Sequence, residues 1–185
     1  MKRSTWIVLV IFLALAGLLL YLNQKEPVTE EGADVISTAA PVEYLFTEID
    51  GMPTSIDIKS EAGEQVTLAR NEAGEWVLKQ PIETEANQGS AEAAASQLTT
   101  LRIMSRPEVA PADAGLVQPS YIMTVELTSG EVKTVRIGDL TPTESGYYTN
   151  VNESNKVLII GKTGLDSLLT LVSSPPYVST PTPVP

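Results

Sequence analysis

Histidine and cysteine are both absent from the 185 residues, so the chemistry open to this chain rests on oxygens, amines and aromatic rings. Without those two residue types no Ser-His-Asp or Cys-His catalysis is possible, and no Cys/His zinc site can be built. Oxygen-bearing side chains recur through Asn150-Val151-Asn152-Glu153-Ser154-Asn155, as they do in calcium loops. The glycine and the terminal bidentate glutamate of an EF-hand loop are missing, and an Asn/Ser-rich hairpin turn is the simpler reading. Asn152-Glu153-Ser154 also fits the N-glycosylation pattern, which has meaning only in a eukaryotic secretory pathway. Glu72, Glu75, Glu83, Glu85 and Asp139 could supply paired carboxylates for glycoside hydrolysis, yet nothing in their spacing selects two of them. Trp76 with Tyr147 and Tyr148 could line a groove for a glycan or a lipid head group. Aromatics make up only 5% of the chain, however, and a scarce tryptophan in a strand pattern is the natural core anchor of a sheet. The residues therefore point to a non-enzymatic chain with no cofactor and no metal, and Trp76, Tyr147 and Tyr148 are the candidate ligand-binding residues.

The location of these residues is set by the start of the chain. Lys2 and Arg3 precede an apolar run from Trp6 to Leu22 without a charged residue. As a helix rising about 1.5 Å per residue, the run is roughly 25 Å long, close to the hydrocarbon thickness once Trp6 and Tyr21 sit at the two interfaces. A cleaved signal peptide and a retained anchor compete here. The best small-x-small pattern is Ala14-Leu15-Ala16, and cutting there would leave Gly17 to Leu22 on the mature chain, so retention is favoured. A lipoprotein anchor would need a cysteine.

Basic residues before a membrane helix stay preferentially in the cytoplasm, so Lys2 and Arg3 put residues 1–5 inside and everything after the helix outside a plasma membrane. All 23 acidic residues follow the run with 10 of the 12 basic ones, giving the exported part a net charge of −13. Such a surface is unsuited to nucleic acid, which needs clustered Lys and Arg, and is suited to keeping an exported domain soluble. The expected partners are the bilayer itself and membrane transport proteins.

Residues 23–41 are polar and acidic, with Pro27 and Gly32, and read as a flexible linker. From Val42 the pattern alternates in short strands separated by turns. Strands are predicted at Val42 to Thr47, around Ile56 and Ile58, around Val66 and Leu68, and from Trp76 to Lys79, where Pro81 stops the run. Ala91, Ala94, Ala95, Leu98 and Leu101 then predict an amphipathic helix from about Gln88 to Leu101, with Asn87 or Ser90 as N-cap. Arg102 to Val109 reads as extended, and Ala112 to Val117 as one helical turn. Met123 to Leu127 and Val135 to Ile137 predict a hairpin about Ser129-Gly130, and Tyr147 to Val151 with Lys156 to Ile160 a second. A final helix carries Leu165, Leu168, Leu169 and Val172, with Thr163 and Asp166 spaced as a capping box. The sum is an α+β domain over 42–173, antiparallel hairpins with two amphipathic helices packed on the sheet, preceded by one N-terminal transmembrane helix. Residues 174–185, rich in Pro and Thr, read as a disordered tail.

The series Gly74-Glu75-Trp76-Val77-Leu78 with Pro81, an Ala-Leu helix, Gly115-Leu116 with Pro119, Val135-Arg136-Ile137-Gly138, Tyr147-Tyr148 and the strand from Lys156 to Ile160 resembles the bacterial family known as domain of unknown function 4340. The resemblance covers roughly Glu43 to Val172. It implies a membrane-anchored extracytoplasmic domain, associated in that family with ABC-type transporters, some linked to gliding motility. It implies no catalytic residues. Longer members can hold more than one copy and often an aromatic before the Gly-Leu pair, where this chain has Ala114.

Overall fold

The computed structural model describes residues 42–178. The apolar run, the linker and Lys2, Arg3, Trp6 and Tyr21 lie outside the described residues. Among the described residues no helix is long and apolar enough to cross a membrane.

Ten strands form one antiparallel sheet. They are β1 (Glu43–Tyr44), β2 (Pro53–Ser60), β3 (Gln65–Arg70), β4 (Trp76–Gln80), β5 (Thr84–Glu85), β6 (Arg102–Ser105), β7 (Tyr121–Leu127), β8 (Val132–Leu140), β9 (Gly146–Val151) and β10 (Leu158–Gly161). Their spatial order is β1-β6-β10-β9-β8-β7-β2-β3-β4-β5. Helix α1 (Gln88–Thr99) joins β5 to β6, and α2 (Lys162–Ser173) follows β10. The predicted antiparallel sheet with two helices packed on it is therefore present.

Alternation decides which face each residue serves. Ile56, Ile58, Val66, Leu68, Leu78, Met123, Val125, Val135 and Ile137 are buried toward the helices, while Asp57, Lys59, Thr67, Thr124 and Thr134 alternate with them on the other face. From the helices, Ala91, Ala95, Leu98, Leu165 and Leu168 complete the core. A leucine as fully covered as Leu98 contributes about 1.5–3 kcal/mol by burial.

Chain length forces the sheet to curl. Eight interstrand spacings separate β5 from β6, about 38 Å on a flat sheet at roughly 4.8 Å each. Between Glu85 and Arg102 the chain has a twelve-residue helix, about 18 Å long, and four connecting residues that reach about 14 Å. It must also rise about 10 Å to the helix layer and return. Only a curved sheet brings its two ends within that reach, and α2 accordingly touches β2, β3, β9 and β10. At Gly164 of α2 an added Cβ would sit 3.1 Å from the Gln97 side chain of α1 and 3.0 Å from the side chain of Leu101, just past that helix.

Two local expectations are corrected. Residues 112–117 form turns and no helix, because the Ala114 carbonyl accepts the Asp139 amide (3.1 Å) rather than one four residues on. Thr163 and Asp166 form no capping box. Helix α2 starts after Gly161 without a side-chain cap, and Asp166 is engaged elsewhere. Helix α1 takes Asn87 as its cap, which accepts the Ser90 amide at 3.0 Å. The paired structure also runs past the expected boundary at 173. Tyr177 bridges Ala86, and the Pro176 carbonyl accepts the Asn87 amide at 2.8 Å.

The segment between β6 and β7 straps the face opposite the helices. Ala114 and Leu116 are buried there with Val157, against Val109 and Tyr148. The strap touches backbone to backbone at Gly138, where an added Cβ would lie 2.1 Å from the Ala114 carbonyl oxygen. Gly138→Ala is expected to lower stability by about 2–3 kcal/mol, read as a lower urea midpoint with the slope unchanged. An unaltered midpoint would show that the strap can shift freely.

Candidate functional site

Trp76 opens β4 with its side chain on the helix face, only 1% exposed. Gln88, in the first turn of α1, holds the Trp76 backbone at both ends. Its Oε1 accepts the Trp76 amide and its Nε2 donates to the Trp76 carbonyl, each at 2.8 Å. The indole Nε1 donates to Glu92 Oε2 at 2.8 Å, and Arg70 Nη2 donates to the same oxygen at 2.7 Å. The Arg70 guanidinium lies 4.4 Å from the ring centroid, a cation–π contact, while its Nη1 donates to the Gly74 carbonyl. The indole hydrogen bond holds the Glu92 carboxyl below its usual range, burial opposes this, and Arg70 adds to the lowering. The ring is thus enclosed by its own protein and pins α1 to β3 and β4. Arg70, Gln88 and Glu92 were not singled out from sequence. Glu92 is the sole charged residue of α1 and lies four residues after Gln88, which is the signal that marks this face.

Tyr147, in β9, also faces the helices, and its hydroxyl donates to Asp166 Oδ1 at 2.8 Å. Lys162 pairs with the other Asp166 oxygen and lies 5.8 Å from the Tyr147 ring centroid. Burial pushes the Tyr147 phenol up to about 12, and the Asp166 carboxylate adds to that. Burial works to raise Asp166, but Lys162 and the Tyr147 hydroxyl outweigh it and hold the carboxyl below its ordinary value. This cluster pins α2 to β9. A phenol held neutral in this way serves as the hydrogen-bond donor to Asp166.

Tyr148, the next residue, faces the other way and packs with Ala114, Leu116 and Val157 under the strap. Four strands, β8, β7, β2 and β3, separate β9 from β4, about 24 Å along the sheet at roughly 4.8 Å per spacing. The structure therefore does not gather Trp76, Tyr147 and Tyr148 into one groove.

The Asn/Ser cluster serves its own turn. Asn152 and Glu153 adopt positive φ (50° and 57°), Asn152 Oδ1 accepts the Thr134 amide, and Asn150 Nδ2 donates to the Ser154 carbonyl, both at 2.9 Å. Glu153 pairs with Arg136 at 2.5 Å. Among the described residues no group of three His, Cys, Asp or Glu could hold a metal. Of the acidic candidates, Glu83 pairs with Lys79 and Glu75 accepts from Asn71 (3.3 Å).

A concavity lies elsewhere, a cleft of about 590 Å³ lined by Tyr44, Phe46, Thr47, Gly51, Met52 and Thr99. A loop from Thr47 to Met52, containing the 3-10 turn Glu48–Asp50, forms one wall. Asp50 fixes this loop. Its Oδ2 accepts the Thr47 amide and hydroxyl at 2.7 and 2.9 Å and pairs with Lys133 Nζ at 2.7 Å. The lysine bond, then the Thr47 amide, hold its carboxyl below the usual range against burial. The loop is latched to the β7–β8 turn by Thr128 Oγ1, which accepts the Met52 amide, and by Ser129 Oγ, which donates to the Asp50 carbonyl at 2.6 Å. On this rigid support Ile49 is 94% exposed, with Met52, Val42 and Tyr44 also exposed. Isolated apolar residues on a surface are ordinary, but four exposed within eleven residues, with Tyr44 and Met52 themselves lining the cleft, mark a surface of the kind partners bind. Alternation in the sequence could not find it, because the loop that carries Ile49 and Met52 is held in place by a hairpin turn 76 residues away.

The model of one protein family, Domain of unknown function (DUF4340), matches residues 76–174. No curated protein and no solved structure matches the chain.

Since the folded phenol titrates above the unfolded value of 10, its neutral form adds stability that is complete below about pH 10 and is lost as pH rises toward 12. Ultraviolet titration of the folded chain is expected to show one tyrosine ionising near 12, and Tyr147→Phe to remove that step. Persistence of the step in the variant would place the raised phenol elsewhere.

Proposed function

We propose that this chain, which belongs to the family described as Domain of unknown function (DUF4340), is a membrane-tethered extracytoplasmic interaction module that assists a membrane complex such as an ABC-type transport system. The observation that carries the reading is the sequence of parts. Lys2 and Arg3, an uncharged apolar run from Trp6 to Leu22 and an acidic linker lead into a folded unit that begins beside its own apolar patch. A flexible chain of about 19 residues, the length of the linker read from composition, would span roughly 24 Å, so a unit tethered this way would work within a few nanometres of the outer face. The link to transporters and to bacteria comes from the family resemblance.

A non-enzymatic role is supported by composition and by the use made of the polar groups. With no histidine or cysteine, the chain's strongest polar clusters, Arg70–Glu92–Trp76 and Lys162–Asp166–Tyr147, tie helices to the sheet. Groups committed to fixed partners in this way are poor proton carriers and good scaffolding.

The full-length chain is expected to resist alkaline extraction from membranes with residues 6–22 retained in its mass, and pull-down after mild detergent to recover membrane transport proteins. A soluble mature form lacking the run would remove the tether, and a strictly solitary protein would remove the accessory role.

A further inference from the structure

We infer that the patch of Val42, Tyr44, Ile49 and Met52 is a self-association surface, on which two copies of this chain pair about a twofold axis beside β1, each seating Ile49 in the other's cleft. The inference rests on the tethered reading above for how the two copies meet. Three features select a second copy as the occupant.

The first is shape. Ile49, the most exposed large apolar residue of the described chain, stands on the loop whose flanking residues Thr47, Gly51 and Met52 line the cleft. A knob and a hole on one patch are what a twofold interface requires, because each partner must offer both. The loop is fixed by the Asp50–Lys133 pair and the latch to Thr128 and Ser129, so little ordering is needed on binding.

The second is the sheet edge. β1 is the last strand on its side, pairing β6 through Glu43↔Ile103 and Tyr44↔Arg102, and it has no strand on its outer side among the described residues. Antiparallel contact of β1 with its twofold mate would continue the ladder while the knobs engage. Glu43 and Asp50 are already paired with Arg106 and Lys133, which limits repulsion here in a chain of net charge −11.

The third is where the remaining chain attaches. The first 41 residues, which precede the described structure, join at Val42, at the patch itself. Two copies held by such tethers in one membrane present this edge at the same height, and confinement to a surface raises their effective concentration. A lipid surface is the poorer occupant, since a flat interface leaves the cleft unfilled.

The test uses the full-length chain in native membranes, where the absence of natural cysteine makes each introduced one a unique reporter. Under mild oxidation Tyr44→Cys is expected to give a covalent dimer, whereas Glu72→Cys, on the exposed β3–β4 turn, stays monomeric. Adding Ile49→Asp to Tyr44→Cys should reduce the dimer at least tenfold without lowering the melting temperature, as expected for so exposed a residue. A monomeric Tyr44→Cys chain, equal cross-linking at Glu72→Cys, or a dimer indifferent to Ile49→Asp would overturn the pairing. So would quenching of a fluorophore on Ile49→Cys by lipid-borne spin labels. Alkaline extraction and partner capture test the tether and the accessory role separately, so a chain that passes them and fails here loses only its self-association.

Discussion

Two twelve-residue helices must cover one face of a ten-stranded sheet, and that mismatch governs the rest of the molecule. A flat sheet of that width would leave its outer strands bare and its crossover connections too short. Curling solves both problems, and it draws β2, β3, β9 and β10 around α2 so that Leu165 and Leu168 are enclosed. It also accompanies the close approach at Gly164, where an added Cβ would crowd the side chains of Leu101 and Gln97. The edge strands β1 and β5 are only two residues long, and such short edges offer little template for indiscriminate pairing.

Most of the secondary structure was legible because it follows from local periods. Alternation at Ile56/Ile58, Val66/Leu68 and Met123/Val125/Leu127 marks strands whose neighbours in space are also near in sequence, and the alanine-leucine face marks α1. What could not be read is what distance in sequence hides. That β7 pairs β2, or that all ten strands share one sheet, depends on contacts some seventy residues apart, for which no local pattern exists. Asp166 shows the same limit. Its spacing from Thr163 suits a cap, but a carboxylate near both a lysine and a half-buried phenol is held more strongly by them than by a backbone amide at the helix start.

Of the candidate site, Trp76 illustrates how a scarce aromatic is employed. The sequence allowed a ligand-stacking face or a core anchor, and the anchor has the indole held by Arg70 and Glu92 while Gln88 holds its backbone. Tyr147 and Tyr148 are neighbours in sequence and so occupy opposite faces of the sheet, one bound to α2 and the other beneath the strap. The cleft beside Ile49 left no trace in the periodicity. The loop that forms one of its walls is held by Asp50 and Lys133, a long-range ion pair between residues that each look like ordinary surface charges.

The short first strand has a mechanical consequence. Any tension carried along the N-terminal segment arrives at Val42 and acts first on β1, which only two residue pairs hold to β6. Directly behind them sit Leu45 and Phe46, 7% and 2% exposed, a buried plug that must be pulled through the core before the next strand feels any load. The domain is thus built with a weak link in series with a strong stop. Small tugs are absorbed at its margin, while the curled sheet and its helices keep their shape.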